Sequence, residues 1–285
     1  MLSAAWTDAG GRAAGNQDTY GLRVTASRTG ETAGFAVVCD GVGGLSAGER
    51  ASGAVVRALL DWYDGHVEQL FTRCWRSEDV AAAWDGLLDE VNGRLYRQGR
   101  QSGLTMGTTV AAVLLAGGTA YAMNVGDSRI YRLTSQLRQL SRDHTLAQRE
   151  VEAGRMSPAA ALRTPKRNVL LRCVGGEAAV TAQHYSEPVP PGAAYVLCSD
   201  GFYRTLTGNE WTAALRPGAA QEELQSGLER LFRLTQERGE RDNATAVLLW
   251  TRPPEPDREQ TVDLALDLRT LRAEMGPARA ETPQV

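Results

Sequence analysis

Two apolar runs in this sequence end on an aspartate that is followed by glycine. Residues 35–40 read FAVVCD, and residues 194–200 read AYVLCSD. Unbroken apolar runs of this length, rich in Val and aromatic residues, are typical of strands that are buried on both faces. An ionised carboxylate is too costly to leave unpaired inside such a core. We therefore expect Asp40 and Asp200 to lie at the rim of a sheet that is covered on both sides.

The pattern recurs in two further places. Asp127 follows the apolar run of residues 120–125, and Asp242 stands just before the run of residues 244–250. One aspartate at a strand end usually makes a turn or caps a helix. Several converging carboxylates, however, would repel one another and raise their pKa values unless a cation neutralised them. The repetition therefore predicts a metal site.

The ligand types predict which metal it would be. Carboxylate oxygens favour Mg²⁺ or Mn²⁺ over zinc, and none of the three histidines (His66, His144 and His184) is paired at ligand spacing. The glycines after Asp40 would let the backbone approach the ion, with the Gly41 carbonyl as a candidate ligand. The chain has no GxxxxGK[ST] or GxGxxG motif. Since Lys166 is the single lysine, a phosphate would have to be bound by arginine.

Charge and cysteine content narrow the class of protein. With 31 basic and 34 acidic side chains the formal charge is −3, which argues against a nucleic-acid partner. The four cysteines form no CxxC pair, and Cys39 and Cys198 lie in apolar runs, so they predict buried thiols in a reducing compartment. No signal peptide is visible in the first residues, MLSAAWTDAGGR, and we expect a cytoplasmic protein.

The spacing of apolar residues predicts alternating groups of strands and helices. Strands are predicted at 20–25, 34–39, 108–115, 119–125, 128–133, 168–174, 194–198 and 244–250, and helices at 47–63, 78–98, 145–153 and 220–236. Because two helices lie together between groups of strands, antiparallel sheets with helices outside are the favoured architecture. Residues 106–125 are uncharged, but the Gly117-Gly118 pair favours a hairpin over a membrane span.

Two segments stand apart from this pattern. Residues 129–172 contain ten Arg or Lys against three Asp or Glu. They form either a mobile basic loop over an anion site or a solvated face, and the sequence leaves both interpretations open. Residues 251–285 begin with a polar, proline-rich stretch, which predicts a tail outside the core that contains a short helix.

Seven motifs, taken in order, resemble one known family. They are TDAGGRAAGNQD (7–18), CDGVGG (39–44), MGTT (106–109), NVGDSRIYRL (124–133), SRDHT (141–145), CSDG (198–201) and RDNATAVLL (241–249). The set resembles the metal-dependent protein phosphatases, the PPM or type 2C Ser/Thr phosphatases, in their compact bacterial form. The resemblance implies an α+β fold, a β-sandwich of two antiparallel sheets flanked by helices on both sides. It also implies a catalytic domain at 1–250 with a flap at about 146–167.

The resemblance also implies a metal centre and the residues that form it. Two Mn²⁺ or Mg²⁺ ions are expected, and a third, weaker one at Asp127 and Asp200. Asp40 would bridge the two ions, with the Gly41 carbonyl on one of them and Asp200 and Asp242 on the other. Asp18 would act through water. Arg12 would bind the substrate phosphate, and Gln17, Thr108 and Asn243 would support the site. A hydroxide held between the ions would attack phosphorus, and Arg12, Asp40, Asp200 and Asp242 are the expected catalytic set.

Two positions depart from the best-known form of the family. Gln17 stands where many members have Glu, which would weaken the binding of one metal. Val42 stands where animal members have a histidine that was proposed as the proton donor, so the general acid is unassigned. His144 is a candidate for that role, although a structural histidine is the favoured interpretation.

The expected function is a Ser/Thr protein phosphatase that opposes a bacterial Hanks-type kinase and acts on phosphorylated proteins. A phosphatase-fold regulator that binds a phosphoprotein without turnover is the alternative from another class. The same hydrolase acting on a phosphorylated anti-anti-sigma factor or a small phosphoester is a third possibility, which the sequence does not separate from the first.

Overall fold

In the part of the chain that the structure describes, the strands form two five-stranded antiparallel sheets and one two-stranded ribbon. The computed structural model describes residues 1–11, 15–43, 47–161, 163–216 and 219–251. The strands are β1 (Leu2–Asp8), β2 (Thr19–Ala26), β3 (Thr32–Cys39), β4 (Gly41–Val42), β5 (Gly107–Thr108), β6 (Val110–Ala116), β7 (Thr119–Val125), β8 (Arg129–Leu133), β9 (Leu137–Gln139), β10 (Gln183–Pro188), β11 (Ala194–Cys198) and β12 (Ala244–Trp250). The first sheet has the order β1-β12-β11-β8-β9, the second β10-β7-β6-β3-β2, and β4 pairs with β5.

Helices lie between these strands. They are α1 (Ala47–His66), α2 (Gln69–Thr72), α3 (Ser77–Ser102), α4 (Leu146–Glu152), α5 (Pro158–Ala161), α6 (Asp200–Tyr203), α7 (Gly208–Ala214) and α8 (Gln221–Glu237), with a 3₁₀ turn at Pro165–Asn168. The long helices α1 and α3 cover the second sheet, and α6, α7 and α8 cover the first. All four predicted helices are present.

Strand β3 shows why its run carries no polar residue. Successive side chains of a strand point to opposite faces. Phe35 and Val37 pack with Trp84 of α3 in the cluster under the helices. Ala36 and Val38 pack between the two sheets. Because both faces are covered along residues 35–39, every position of this run has to be apolar.

Strand β11 has the same arrangement in the first sheet. Val196 and Cys198 face the cluster formed with α6, α7 and α8, while Tyr195 and Leu197 pack between the sheets. The molecule is therefore built of four layers, with helices on both outer faces of a β-sandwich. The predicted fold is confirmed.

Residues 106–125 form the predicted hairpin. Strands β6 and β7 pair from Val110↔Val125 to Ala116↔Thr119. Gly117 and Gly118 make the turn with φ of 56° and 73°, the left-handed values that a two-residue type I′ turn requires. Among the described residues, no helix is both long enough and apolar enough to cross a bilayer.

The predicted strand at 168–174 is wrong. Its first residue closes the 3₁₀ turn, and only single bridges form, Thr145↔Leu170 and Thr108↔Val174. Two apolar side chains that suggested a buried strand are exposed, Val169 by 46% and Leu171 by 38%. The segment pairs with Thr145 through Leu170 and with Thr108 through Val174. Because each partner is paired at a single residue, no continuous strand ladder forms.

Thr251, the first residue of the predicted tail, is hydrogen-bonded to the first sheet. Thr251 donates from its backbone N–H and from its hydroxyl to the Ala193 carbonyl, at 3.0 and 2.8 Å. It therefore continues the pairing of β12 with the rest of the sheet. The remaining tail residues, 252–285, lie outside the described residues.

Candidate metal centre

Three of the predicted aspartates lie at one end of the second sheet. Asp18 precedes β2, Asp40 follows β3 and Asp127 follows β7. In this antiparallel sheet, Thr19 pairs with Cys39. The start of β2 therefore lies beside the end of β3, which places Asp18 and Asp40 at the same rim.

The other two aspartates come from the first sheet. Asp200 follows β11 and Asp242 precedes β12, and Cys198 pairs with Ala246. These ends meet the rim of the second sheet, since Ser199 Oγ lies 2.7 Å from Asp18 Oδ2 and the Tyr203 hydroxyl lies 3.0 Å from the Asp127 carbonyl oxygen. The charge of each of the four other aspartates accordingly raises the pKa of Asp40. The fold thus brings together, from five separate positions in the sequence, the carboxylates that the motifs predicted.

Burial is the main cause of the unusual electrostatics at this rim. Burial and then the charges of Asp18, Asp200, Asp127 and Asp242 raise the pKa of Asp40 well above its ordinary range. The pKa of Asp127 is raised in the same way, first by burial and then by Asp200. Like charges in a low-dielectric environment disfavour ionisation. The carboxyl groups of this cluster therefore need a nearby positive charge in order to be ionised at neutral pH.

Two of the carboxyl groups have partners that offset part of this cost. Burial raises the pKa of Asp18 to about 7, although hydrogen bonds from Ser199 and Thr245 lower it. Burial likewise raises the pKa of Asp200 to about 6, and the charge of Arg204 lowers it. Sequence motifs pointed to neither Ser199 nor Arg204 as a functional residue.

Hydrogen bonds fix the backbone of Asp40. Its N–H donates to Thr109 Oγ1 at 2.9 Å. Its carbonyl accepts from the Thr109 N–H and from Thr108 Oγ1, both at 2.9 Å. Thr109 Oγ1 also shares a hydrogen bond of 2.6 Å with Ser128 of the GDSR motif. Thr108 thereby lies beside Asp40, and its supporting role in the site stays a prediction.

Gly41 is a glycine because α1 lies against it. A Cβ at this position would come within 2.4 Å of the Gly48 backbone and 2.7 Å of the Gln17 carbonyl. The contact explains the residue type by packing alone. The predicted bond from its carbonyl to a metal remains a prediction.

Ser199 fixes the orientation of Asp18. Its hydroxyl donates to Asp18 Oδ2 at 2.7 Å and accepts the Thr245 N–H at 2.9 Å. Ser199 is fully buried, and it bonds the Thr245 carbonyl through its own N–H. A side chain from the first sheet thus positions a carboxylate of the second.

Asn243 fixes the segment that carries Gln17. Its Oδ1 accepts the Gln17 N–H at 2.9 Å, and its Nδ2 donates to the carbonyls of Ala9 and Gly15 at 2.9 and 3.1 Å. The predicted supporting role of Asn243 would consist in holding the backbone at Gln17, Ala9 and Gly15 together. Arg12, the predicted phosphate ligand, lies outside the described residues.

The residues at this rim fit a divalent cation. Asp18 Oδ1 and Asp200 Oδ1 are buried oxygens without a hydrogen-bond partner in the described part of the chain. A buried acceptor that receives no hydrogen bond is energetically costly. Within the same residues, no three Asp, Glu, His or Cys side chains form a group that could hold an ion unaided. Mg²⁺ usually keeps several waters and binds few carboxylates directly, so spaced carboxylates suit a partly hydrated ion.

Comparison with known proteins identifies the family. The family model described as protein phosphatase 2C matches residues 11–248. The chain belongs to the protein phosphatase 2C family. The serine/threonine phosphatase stp of Listeria monocytogenes serotype 4b (strain F2365) is 33% identical over 184 residues, which cover 63% of this chain and 71% of that protein.

Solved structures agree with this assignment. The serine/threonine phosphatase PstP/Ppp of Mycobacterium tuberculosis is 29% identical with a TM-score of 0.71, covering 88% of this chain and 98% of that one. A catalytic domain of PstP in complex with two manganese ions is 28% identical with a TM-score of 0.67, covering 86% and 96%. The predicted family and enzyme class, a serine/threonine protein phosphatase, are confirmed.

The GDSR arginine of this phosphatase has a structural role. Arg129 binds Asp143 through two nitrogens, with Nε–Oδ1 at 3.0 Å and Nη2–Oδ2 at 2.7 Å. The guanidinium also lies 3.9 Å above the Tyr203 ring, and the Tyr203 hydroxyl donates to the Asp127 carbonyl at 3.0 Å. This buried group holds the loop that presents Asp127.

His144 is a structural residue of the phosphatase. Its Nδ1 accepts the Gly126 N–H at 3.0 Å, so Nδ1 carries no proton. Nε2–H then donates to Gln183 Oε1 at 3.0 Å. Burial lowers the pKa of His144, which favours the neutral ring further. Both ring nitrogens are occupied, and the favoured interpretation of His144 agrees with this geometry.

Replacing His144 with glutamine should therefore leave the shape of the pH–rate profile unchanged. We expect a loss of about 1–2 kcal/mol in the free energy of unfolding, because the Gly126 N–H loses its acceptor. The measurement compares kcat on a phosphothreonine peptide and on p-nitrophenyl phosphate across pH, with His184→Gln as the matched control. A selective loss on the peptide, whose alkoxide leaving group needs a proton, would instead assign His144 as the general acid.

Proposed function

We propose that this phosphatase hydrolyses phosphoserine and phosphothreonine in proteins with the five aspartates as the centre of its site. The observation that carries the proposal is the convergence of Asp18, Asp40, Asp127, Asp200 and Asp242 at one end of the sandwich. One buried oxygen each of Asp18 and Asp200 has no hydrogen-bond partner within the described residues. The names of the Listeria and Mycobacterium relatives support the substrate class.

Each residue near the rim has a distinct task in this proposal. Two divalent ions, when bound, would lower the pKa of a water and neutralise charge on the phosphate. Asp40 would be shared between them, since the charges of all four other carboxylates act on it and raise its pKa. Asp200 and Asp242 would hold one ion, with the Gly41 carbonyl on the other. Thr108 would hold the backbone of Asp40 in place.

The remaining residues would place solvent and substrate. Asp18, oriented by Ser199, would accept a proton or a hydrogen bond from solvent at the centre. Gln17 and Asn243 would support the segment that carries Arg12, the proposed phosphate ligand. Asp127 and Asp200 together would hold a third, weaker ion, because both are buried and the charge of Asp200 raises the pKa of Asp127. Either Mn²⁺ or Mg²⁺ satisfies this oxygen-only set.

We propose phosphorylated proteins and a cognate Hanks-type kinase as the functional partners. Cytoplasmic location remains a proposal, supported by four free thiols, with Cys39 and Cys198 buried as predicted. Residues 1–250, extended to Thr251, are the proposed catalytic unit, and the flap at about 146–167 contains α4, α5 and the 3₁₀ turn. Within this flap, Arg155 is paired with Glu150.

The deciding experiment is hydrolysis of a phosphothreonine peptide by the full chain with Mn²⁺, with Mg²⁺ and with chelator. We expect turnover that requires a divalent metal and that disappears in Asp200→Ala. Turnover in excess chelator would overturn the metal-dependent mechanism. Binding of the phosphopeptide without turnover in any condition would favour the regulator instead. A small phosphoester hydrolysed faster than every peptide would favour the third possibility.

A further inference from the structure

Arg204 faces three carboxylates at the rim of the metal centre. It follows α6, and its side chain is only 15% exposed. Its Nη2 contacts Asp200 Oδ2, and its Nη1 lies 3.2 Å from Glu240 Oε2 and 3.9 Å from Asp242 Oδ2. A largely buried guanidinium bound to several carboxylates interacts much more strongly than an exposed ion pair.

Two of these three carboxylates belong to the proposed metal ligands, and the third does not. Asp200 and Asp242 come from neighbouring strands and would hold the same ion. Glu240 is fixed differently, because its Oε1 accepts the N–H groups of Arg241 and Asp242 at 2.9 and 3.1 Å. Its other oxygen is thereby directed to Arg204.

The positive charge of Arg204 is shared between Glu240, whose orientation is fixed, and the two proposed metal ligands, Asp200 and Asp242. Glu240 neutralises part of the positive charge of Arg204. The charge of Arg204 therefore opposes the binding of a divalent ion at Asp200 and Asp242 less strongly. The backbone of Arg204 is also anchored, since its N–H donates to the Asp200 carbonyl at 3.0 Å. The guanidinium therefore stays beside the ligands.

We propose that Arg204 competes with the divalent ion for Asp200 and Asp242, and that Glu240 limits this competition, so that the pair sets the metal affinity. The inference rests on the function proposed above. Arg204 is a positioning residue in this account: it acts through the metal ligands and touches no reacting atom. The two residues lie 36 positions apart and belong to no motif that the sequence revealed.

The charges predict opposite effects for the two members of the pair. In Arg204→Gln, the amide keeps a donor for Asp200, but Glu240 becomes an uncompensated negative charge beside the ion. In Glu240→Gln, Arg204 is left with only the metal ligands as partners. We expect the Kd for Mn²⁺ to fall about tenfold in the first variant and to rise about tenfold in the second. The double variant, which lacks both charges, should return to within about threefold of wild type.

Isothermal titration of each metal-free, full-length protein with Mn²⁺ measures these constants directly, without relying on turnover. Arg233→Gln is the matched control, because Arg233 pairs with Glu229 on the exposed surface of α8. Arg204→Lys, which keeps the charge, should remain within about threefold of wild type. Thermal melts with chelator identify any variant that does not fold.

The outcomes separate this inference from the proposed function. Unchanged or weaker Mn²⁺ binding in Arg204→Gln, or the same direction of change in both single variants, would overturn the competition. If Arg204→Gln does not fold, Glu240→Gln alone decides, and unchanged or tighter binding there is the overturning result. Absence of any Mn²⁺ binding by the wild-type protein would instead overturn the function proposed above.

Discussion

Replacing Asp40 with alanine should lower kcat on a phosphothreonine peptide by about a thousandfold or more, because the variant loses the carboxylate that we propose to be shared between two ions. The same change should not destabilise the metal-free protein. Burial and four neighbouring carboxylates raise the pKa of Asp40 well above its ordinary range. Its removal therefore relieves repulsion, and in chelator the variant should melt at or above the temperature of the wild type.

The measurement pairs steady-state kinetics at saturating Mn²⁺ with thermal melts in chelator. Asp64→Ala is the matched control, because Asp64 is 51% exposed and pairs with Arg23 on the surface. It should leave both readouts unchanged. An Asp40→Ala variant that retains a tenth or more of the wild-type rate would show that Asp40 is not the shared ligand.

The stability of the metal-free phosphatase should fall as the pH rises from about 4 to above 7. Burial raises the pKa of Asp18 to about 7 and that of Asp200 to about 6 in the folded state. A carboxyl group whose folded pKa is raised contributes stability that is fully present below its unfolded pKa, near 3.9, and that is lost as pH passes the folded pKa. The decline is therefore expected between those limits.

Mn²⁺ should reverse this trend, since it binds the ionised carboxylates of the folded state. The gain in melting temperature on adding Mn²⁺ should be larger at pH 8 than at pH 6. Asp18→Asn, which mimics the protonated group without titrating, is the control and should flatten the pH dependence in chelator. A melting temperature in chelator that stays level or rises from pH 5 to pH 8 would contradict the predicted electrostatics.

The sequence predicted those parts of the fold in which burial leaves a periodic mark. Strands β3 and β11 are apolar on both faces because helices cover one side and the other sheet covers the other, and an unbroken apolar run is the direct result. The edge strands β1 and β10 were missed, because an edge strand alternates polar and apolar residues only weakly and its partners lie far away in the sequence. The apolar residues of 168–174 misled the prediction, since a crossing segment can expose Val169 and Leu171.

The same contrast holds for the site. Asp40 and Asp200 were found because a charge that ends a buried strand is conspicuous in the sequence. Ser199 was not, since a serine within an apolar run is common and its hydrogen bond to Asp18 depends on how the two sheets meet. Arg204 and Glu240 were missed for a related reason: neither lies within a strand, and only the fold brings them together.

The division of the aspartates between the two sheets has a consequence for folding kinetics. Asp18, Asp40 and Asp127 belong to one sheet and Asp200 and Asp242 to the other, so neither sheet alone can present the complete ligand set. A folding intermediate with a single formed sheet would lack high metal affinity. Because the proposed ligands come from both sheets, we expect high-affinity metal binding only after the two sheets have docked, and slower unfolding in the presence of Mn²⁺.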